Sequence, residues 1–479
     1  MLSDVREDKI KKLKNFINRG ISPFPAMAFE KEKSSVVKEL MVGCAVKVAG
    51  RIMLFRDMGN LTFLQLQDEF GKIQVVLNKK ELGEDYRFWV KNLDLGDFIG
   101  IEGERFNTHK GEKSVLAKKI ILLAKSILPL PDKHKNLQDE EERLRKRYLD
   151  ILFHPEIKEL IYKKDVFWNA ARNFLKKQGF IEVETPVLEV SAGGADATPF
   201  VTHHKALNMD VYLRISMGEL WQKRLMVAGM EKTFEIGRQF RNEGMDSEHL
   251  QDYTQLEFYW AYADYRKGMQ LVKELYQNIA RETFGTLQFQ IRGFDLDLGG
   301  TWEQYDYTET IAKMTGVNIE RATLETMEKK LKELGVVYVA KGFNRARAID
   351  NLWKFCRKKI GGPGFLINEP VEVSPLAKRS AENPQKVERF HVIIAGSELG
   401  NGYSELNDPL DQAERFAEQQ KLREAGDEEA QMFDRDFVEA LEYGMPPTFG
   451  FGLSERVFSF LMNKSMRECQ IFPLMKPKK

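Results

Sequence analysis

Thr233-Phe-Glu-Ile-Gly-Arg-Gln-Phe-Arg-Asn-Glu-Gly244, followed after the loop Met245 to Gln251 by Tyr253-Thr-Gln-Leu-Glu-Phe-Tyr-Trp260, decides the architecture of this chain. Along an extended strand, alternate side chains share a face. Glu235, Gln239, Arg241 and Glu243 then share one face, and Phe234, Ile236 and Phe240 take the other. On the return strand Tyr253, Gln255, Glu257 and Tyr259 share a face, while Leu256 and Phe258 point away. Two antiparallel strands are predicted, with Arg, Glu and Tyr side chains side by side. Most such alternations are simply the solvated face of a hairpin. Here lysine is absent from both strands, and the polar face carries two tyrosines and a fork-shaped arginine, which suit a planar ring and a phosphate.

Two further stretches extend the pattern. In Gly396-Ser-Glu-Leu-Gly-Asn-Gly-Tyr-Ser-Glu-Leu-Asn407, Asn401, Tyr403 and Glu405 alternate onto one face, with Glu398 just before the turn at Gly400. In Pro446-Pro-Thr-Phe-Gly-Phe-Gly-Leu-Ser-Glu-Arg456, Gly450 and Gly452 would let a ligand approach the backbone, and Arg456 stands where a helix is expected to start. Around these, the spacing predicts a helix over Glu156 to Lys177 and strands at Val211 to Ser216 and Val392 to Ala395. Helices are predicted at Met217 to Val227, Gln270 to Phe284, Leu324 to Leu334 and Asp411 to Glu424. Strands separated by long irregular insertions indicate a large antiparallel α+β domain over residues 148–479.

The front of the chain reads differently. Asp4 to Arg19 has apolar residues at helical spacing among lysines, which predicts a basic amphipathic helix in an extension covering residues 1–44. Over residues 45–125 the apolar period is two, with turn residues between short runs, as in a small barrel such as an OB-fold. Phe63 alternates with Gln65 and Gln67 while Leu64 and Leu66 take the other face, so Phe63 is expected on the outside. Residues 126–147, with Pro129, Pro131 and a dense charge run, read as a linker.

Composition bounds the rest. At 479 residues the chain exceeds one compact core, and 43% hydrophobic with 30% charged residues argues against disorder. No apolar run has the length of a membrane helix, and the start of the chain lacks a hydrophobic signal core, so a cytoplasmic location and no membrane partner are expected. Three cysteines without a CxxC pair exclude a disulfide scaffold and a cysteine zinc site. Residues 1–130 carry 23 Lys and Arg against 17 Asp and Glu, a net of +6, and the remainder a net of −5, which suggests a polyanion at the front. Neither GxGxxG nor GxxxxGK[ST] occurs. The adjacent pair His203 and His204 reads as structural, since neighbouring strand residues face opposite ways.

Taken in order, these stretches resemble the class II aminoacyl-tRNA synthetases, and among them the bacterial lysyl-tRNA synthetases. Gly179-Phe-Ile-Glu-Val-Glu-Thr-Pro186 resembles the first class motif, Phe240-Arg-Asn-Glu-Gly244 with its return strand the second, and Gly450 to Arg456 the third. Lysine-type stretches lie between them: Ala192-Gly-Gly-Ala195, Tyr212-Leu-Arg-Ile215, Ala261-Tyr-Ala-Asp264, Glu372-Val-Ser-Pro-Leu-Ala377 and Gly400 to Asp408. Ala49-Gly-Arg51, Leu66-Gln-Asp68 and Lys72-Ile-Gln74 resemble the family's anticodon-binding barrel. Residues 315–361 carry no assignment.

The resemblance implies an enzyme that activates L-lysine with ATP and transfers it to the 3′ end of tRNA(Lys). It implies that Arg241 holds the α-phosphate and the lysine carboxylate, Glu243 accepts from the adenine amino group, and Tyr253 stacks on adenine. His249 would stand near the terminal phosphates, and Arg456 would sandwich adenine and reach the γ-phosphate. Glu405 would receive the ε-ammonium, with Tyr259, Asn401 and Tyr403 lining the pocket and Glu257 beside them. Glu219 and the Gly194 carbonyl would receive the α-amino group. Glu398 would bind Mg²⁺, and His391 stands where the family usually has another Mg²⁺-binding carboxylate. The third motif is one residue shorter than usual, and Tyr403 replaces a common Phe. Phe63, Arg56 and Gln74 would contact the anticodon, and Pro186 implies a homodimer. An aspartate- or asparagine-type synthetase, a truncated relative that lysylates a protein, and an inactive tRNA-binding paralogue are the alternatives. Glu405 argues against the first, the barrel against the second, and Arg241, Glu243 and Arg456 against the third.

Overall fold

The structure, a computed structural model, describes residues 2–131, 137–195, 197–242, 244, 246–338, 343–424 and 430–478. The chain divides into two compact units, residues 1–140 and 141–479.

In the first unit, five strands form a closed barrel in the order β1-β2-β3-β5-β4. They are β1 (Ala45–Asp57), β2 (Leu61–Asp68), β3 (Gly71–Asn78), β4 (Phe98–Asn107) and β5 (Lys113–Ala124). Alternation sorts their side chains: Val46, Val48, Leu64, Leu66, Ile73, Val75, Ile99 and Ile101 fill the interior. β5 escapes the sequence reading because Lys118 and Lys119 interrupt its apolar run. The helix Leu2–Asn18 packs on the barrel unit through Phe16, whose ring meets Phe88 and Trp89 at 5.2 and 5.5 Å. The expected linker lies partly on 132–136, outside the described residues. Its charge run is helical over Glu140–Arg145, because Leu144 is buried and Arg143 pairs with Asp150 at 2.8 Å.

The second unit is built on an eight-stranded sheet. Its strands, with those of two smaller sheets, are β6 (Ile181–Glu182), β7 (Leu188–Glu189), β8 (Val201–His204), β9 (Met209–Leu213), β10 (Lys232–Phe240), β11 (Asp252–Ala261), β12 (Gln288–Ile291), β13 (Phe294–Asp297), β14 (Glu303–Asp306), β15 (Gly364–Ile367), β16 (Arg389–Ile394), β17 (Ser397–Ser404) and β18 (Thr448–Ser454). The large sheet runs β14-β15-β16-β17-β18-β11-β10-β6, antiparallel throughout except for the two outermost pairs. One face is apolar: Phe258, Phe390, Phe449 and Phe451 pack against the helices Pro155–Lys177 and Tyr265–Phe284. Gly400 and Gly402 lie under those rings, where a Cβ would meet Phe451 at 2.9 Å and Phe449 at 2.8 Å. The unassigned region 315–361 supplies two helices, Leu324–Glu333 and Arg345–Arg357, with their own core around Trp353 and Leu352.

Candidate active site

The other face of the sheet carries the polar side chains, and the strand register explains the trough they form. Tyr403, Gly450 and Tyr259 are consecutive partners across β17, β18 and β11. Asn401, Gly452 and Glu257 make the next row, extended by His391 and Glu235 at either end. Each row has glycine at its centre, so β18 is the floor and its neighbours the walls. A Cβ on Gly450 would lie 2.0 Å from Glu405 Oε1 and 2.7 Å from Tyr259. The face expected on β10 and β11 is present, but as a buried wall: Glu235, Gln239, Tyr253, Glu257 and Tyr259 are all buried. β10 ends at Phe240, so Arg241 lies beyond the strand, contrary to its expected place on it. Its amide donates to the Gln251 carbonyl at 2.8 Å, closing the loop between the two strands.

Two adjoining cavities occupy this face. The first is lined by Gly194, Ser216, Glu219, Glu257, Tyr259, Asn401, Tyr403, Glu405 and Gly450, and the second by His249, Tyr253, His391, Glu398 and Arg456. Arg241, Gln255, Asn401 and Gly452 line both. The structure thus brings together every expected residue of this unit except Glu243, which lies outside the described residues.

The first cavity is acidic. Glu219 Oε2 accepts from the hydroxyls of Tyr403 at 2.6 Å and Tyr259 at 3.1 Å, and Oε1 accepts from Lys223 Nζ. Lys223 also pairs with Glu405 Oε2. Glu405 Oε1 is buried with no hydrogen-bond partner among the described residues. Burial, and then the Glu219 charge, push the Glu405 carboxyl well above the usual range. Burial and the same neighbour raise Glu257 to about 7, against hydrogen bonds from Ser216 and Met217. Gly194 has φ +87°, and a Cβ there would lie 2.6 Å from the Glu219 Cβ, so glycine alone lets this turn close on the Glu219 side chain.

The second cavity suits anions. Arg456 Nη2 donates to Glu248 Oε2 at 2.5 Å, and Glu248 is also paired with Arg292. Burial opposes ionisation of Glu248, but these guanidiniums hold its carboxyl below the usual range. Arg241 makes no ion pair among the described residues: its Nε and Nη2 donate to the Ile215 carbonyl at 3.3 Å, and its guanidinium lies 5.8 Å from the Tyr253 ring centroid. His249 is exposed, with Nδ1 2.8 Å from Asp246. Glu398 accepts from the Trp353 indole, so the unassigned region reaches the site. His391 stands between two carboxylates, Nε2 3.2 Å from Glu369 and Nδ1 3.9 Å from Glu398. Arg389 and His391 outweigh the burial of Glu369 and bring it down to about 2.

Sequence reasoning missed Lys223, Glu248 and Trp353. Only Lys223 left a signal, four residues after Glu219 on a predicted helix. His203 and His204 bond to Asp210 and to the Leu207 amide, as structural residues do.

On the barrel, β1, β2 and β3 place Arg56 opposite Phe63, and Gln65 opposite Gln74. Arg56, Phe63 and Gln74 therefore share the outer face, with Gln74 donating to Ser114 at 2.9 Å.

Comparison with known proteins gives this arrangement its family. Residues 139–476 match the family described as tRNA synthetases class II (D, K and N), and residues 46–123 match the OB-fold nucleic acid binding domain. The lysine–tRNA ligase of Thermosipho africanus strain TCF52B is 41% identical over 490 residues, covering 100% of this chain and 97% of its own. Those of Thermotoga maritima and Carboxydothermus hydrogenoformans are 40% and 41% identical, each covering 100% of this chain and 97% and 99% of their own. With that likeness along its whole length, the chain belongs to the lysine–tRNA ligase family of class II tRNA synthetases.

Proposed function

We propose that the chain activates L-lysine with ATP, releasing pyrophosphate, and transfers the lysyl group to the 3′ end of tRNA(Lys). One observation carries this reading: an acidic cavity ending on the open oxygen of Glu405 joins an anion-suited cavity at Arg241. A buried ammonium is costly unless it meets a carboxylate and further acceptors. Glu405 with Tyr259 meets that need at the ε-ammonium, while Asn401 and Tyr403 line the side chain. The α-ammonium is assigned to the Gly194 carbonyl and to Glu219, whose Oε1 keeps one lone-pair direction beside Lys223.

The lysine carboxylate then lies toward Arg241. Its oxygen attacks the α-phosphorus in line, the bond to pyrophosphate breaks, and no protein nucleophile takes part. Catalysis is placement and charge neutralisation. Arg241 draws the two anions together and stabilises the charge that develops between them. Tyr253, Glu243 and Arg456 are assigned to adenine, and Arg456 and His249 to the terminal phosphates.

Magnesium would neutralise the phosphate charge. It prefers oxygen donors and is commonly held by one or two carboxylates plus substrate phosphates. Glu398 fits that description. His391 does not, since both its nitrogens face carboxylates. Among the described residues no cluster of three or more His, Cys, Asp or Glu is placed to hold a metal. The donor set therefore suits ions carried in with ATP rather than a cage built by the protein.

The outer barrel face with Arg56, Phe63 and Gln74 is assigned to the anticodon. A homodimer is proposed through the first motif and the residues just after it, where Ile181, Val187, Leu188 and Val190 are exposed. No helix among the described residues is long and apolar enough to cross a membrane, and a cytoplasmic setting suits three unpaired cysteines. Amino-acid-dependent ATP–pyrophosphate exchange tests the reading. Exchange with lysine alone is expected. Exchange with aspartate or asparagine instead would refute the assignment of Glu405, and none with any of the three would refute the enzyme.

A further inference from the structure

Lys223 is a fully buried lysine with no contact to solvent, on the helix Gln222–Val227, and it pairs with two carboxylates that line the acidic cavity. Its surroundings are complete. Glu219, one turn earlier, and Glu405, just past β17, both pair with its ammonium. The rings of Tyr403 and Phe437 flank it at 5.7 and 5.6 Å. Burial alone would lower its pKa, but the two carboxylates hold it above the ordinary lysine value, so it is charged.

The pairing determines what the cavity can still bind. Glu219 has both oxygens engaged, by Lys223 and by two tyrosine hydroxyls. Glu405 has Oε2 turned to Lys223 and Oε1 turned to the glycine floor. Of the two carboxylates it holds, the ammonium offsets one charge, and Glu405 Oε1 stays open at the end of the cavity. We infer that Lys223 is a specificity-determining positioning residue: its ammonium pins Glu219 and Glu405, offsets one of their charges and leaves Glu405 Oε1 aimed at a side-chain ammonium. Without it, nothing would offset the Glu219 charge that already raises Glu405, and the two buried carboxylates would hold a proton more tightly. That proton would compete with the incoming ammonium, and Glu405 would lose the ion pair that aims its free oxygen.

This inference rests on the assignment of the acidic cavity to lysine, so the full-length native protein is measured first. Absence of lysine-dependent exchange there overturns that assignment and the inference together. Given native exchange, K223M keeps the unbranched side chain to within one atom of its length and removes its charge. Its KM for lysine is expected to rise at least about tenfold, as for other desolvated charge pairs that lose one partner, with kcat and the KM for ATP within about threefold of native. K223A adds a stricter readout. The missing atoms correspond to propylammonium, which is expected to lower the raised KM, whereas 1-propanol, similar in size but neutral, is not. A lysine KM within about threefold of native in K223M, or equal relief of K223A by the two additives, overturns the inference and makes Lys223 a packing residue. Should K223A fail to fold, K223M alone decides.

Discussion

Gly450 carries no functional group, yet adding one methyl to it should damage lysine binding more than most changes in the site. The Cβ of G450A would stand 2.0 Å from Glu405 Oε1, where contacts below 3.0 Å do not persist. The carboxylate must retreat by about 1 Å, a displacement that can cost on the order of a hundredfold where charged groups must meet in register. Its escape is restricted, because Oε2 is paired with Lys223 and Tyr259 lies 2.7 Å from the same methyl. A charged hydrogen bond contributes about 1.5–3 kcal/mol, so its loss raises the lysine KM about 10- to 150-fold. The added methyl should also cost about 1–3 kcal/mol of stability. An internal comparison lies two residues away. A Cβ on Gly452 has its nearest neighbour, Gln255 Nε2, at 3.3 Å, so G452A should disturb the lysine KM far less. Pyrophosphate exchange at varied lysine and at varied ATP, with thermal melting of each variant, measures all of this. A folded G450A with a lysine KM within about threefold of native, or G450A and G452A with equal effects on it, would refute the reasoning.

Other outcomes follow from the same geometry. R241K keeps a charge at the junction of the cavities but loses the planar fork, so kcat for exchange should fall about 10²–10³-fold, in the range of a lost transition-state donor. A fall under about threefold would remove Arg241 from the chemistry. Glu257, raised to about 7 by burial and by Glu219, holds a proton below that pH and must release it when a cation enters beside Glu219. The lysine KM should therefore climb as pH drops from 8 to 6, approaching about tenfold per unit below 7 for one released proton. E257Q should make this profile shallower, with the raised Glu405 carboxyl accounting for what remains, and a flat native profile would contradict both shifts. F63A should weaken charging of tRNA by about 1–3 kcal/mol in KM for tRNA, as for one lost base stack, and leave pyrophosphate exchange unchanged. A loss of exchange would mean that Phe63 acts outside anticodon contact.

Much of the site was legible because its residues lie on strands whose period of two is visible in sequence. Glu257 and Tyr259 alternate with core aromatics, Asn401 and Tyr403 with glycines, and the register sets both pairs across β18. Arg241 was legible as a residue type but not in its setting, since nothing local marks Phe240 as the end of the strand. Lys223 left only its spacing from Glu219, which does not show that it is buried. A lysine in an amphipathic helix reads as surface, and only tertiary packing shows that Glu405, from a distant part of the chain, joins the nearby Glu219 around it. Trp353 was missed for a related reason. Its helix follows an ordinary 3.6-residue pattern, and its contact with Glu398 spans 45 residues. Periodicity shows which face of an element is buried, whereas pairings between elements depend on topology.

The two arginines expected to act together are held in different ways, and this divides their work. Arg456 enters the site already committed: Glu248 takes one of its nitrogens and is itself anchored by Arg292 and by the Ser397 hydroxyl at 3.2 Å. A guanidinium so paired is firmly oriented, which suits stacking and reaching a terminal phosphate, but much of its charge is already answered. Arg241 is oriented by a backbone carbonyl and an aromatic ring, neither of which neutralises it. It stands between the acidic and anion-suited cavities with its charge available, so bringing a carboxylate and a phosphate together breaks no ion pair of its own. Charge preorganised at no cost at the moment of reaction is the largest single contribution in this kind of chemistry. In the proposed reaction the uncommitted arginine is therefore the one suited to stabilise the transition state, and the committed one is suited to hold the nucleotide against which that charge would act.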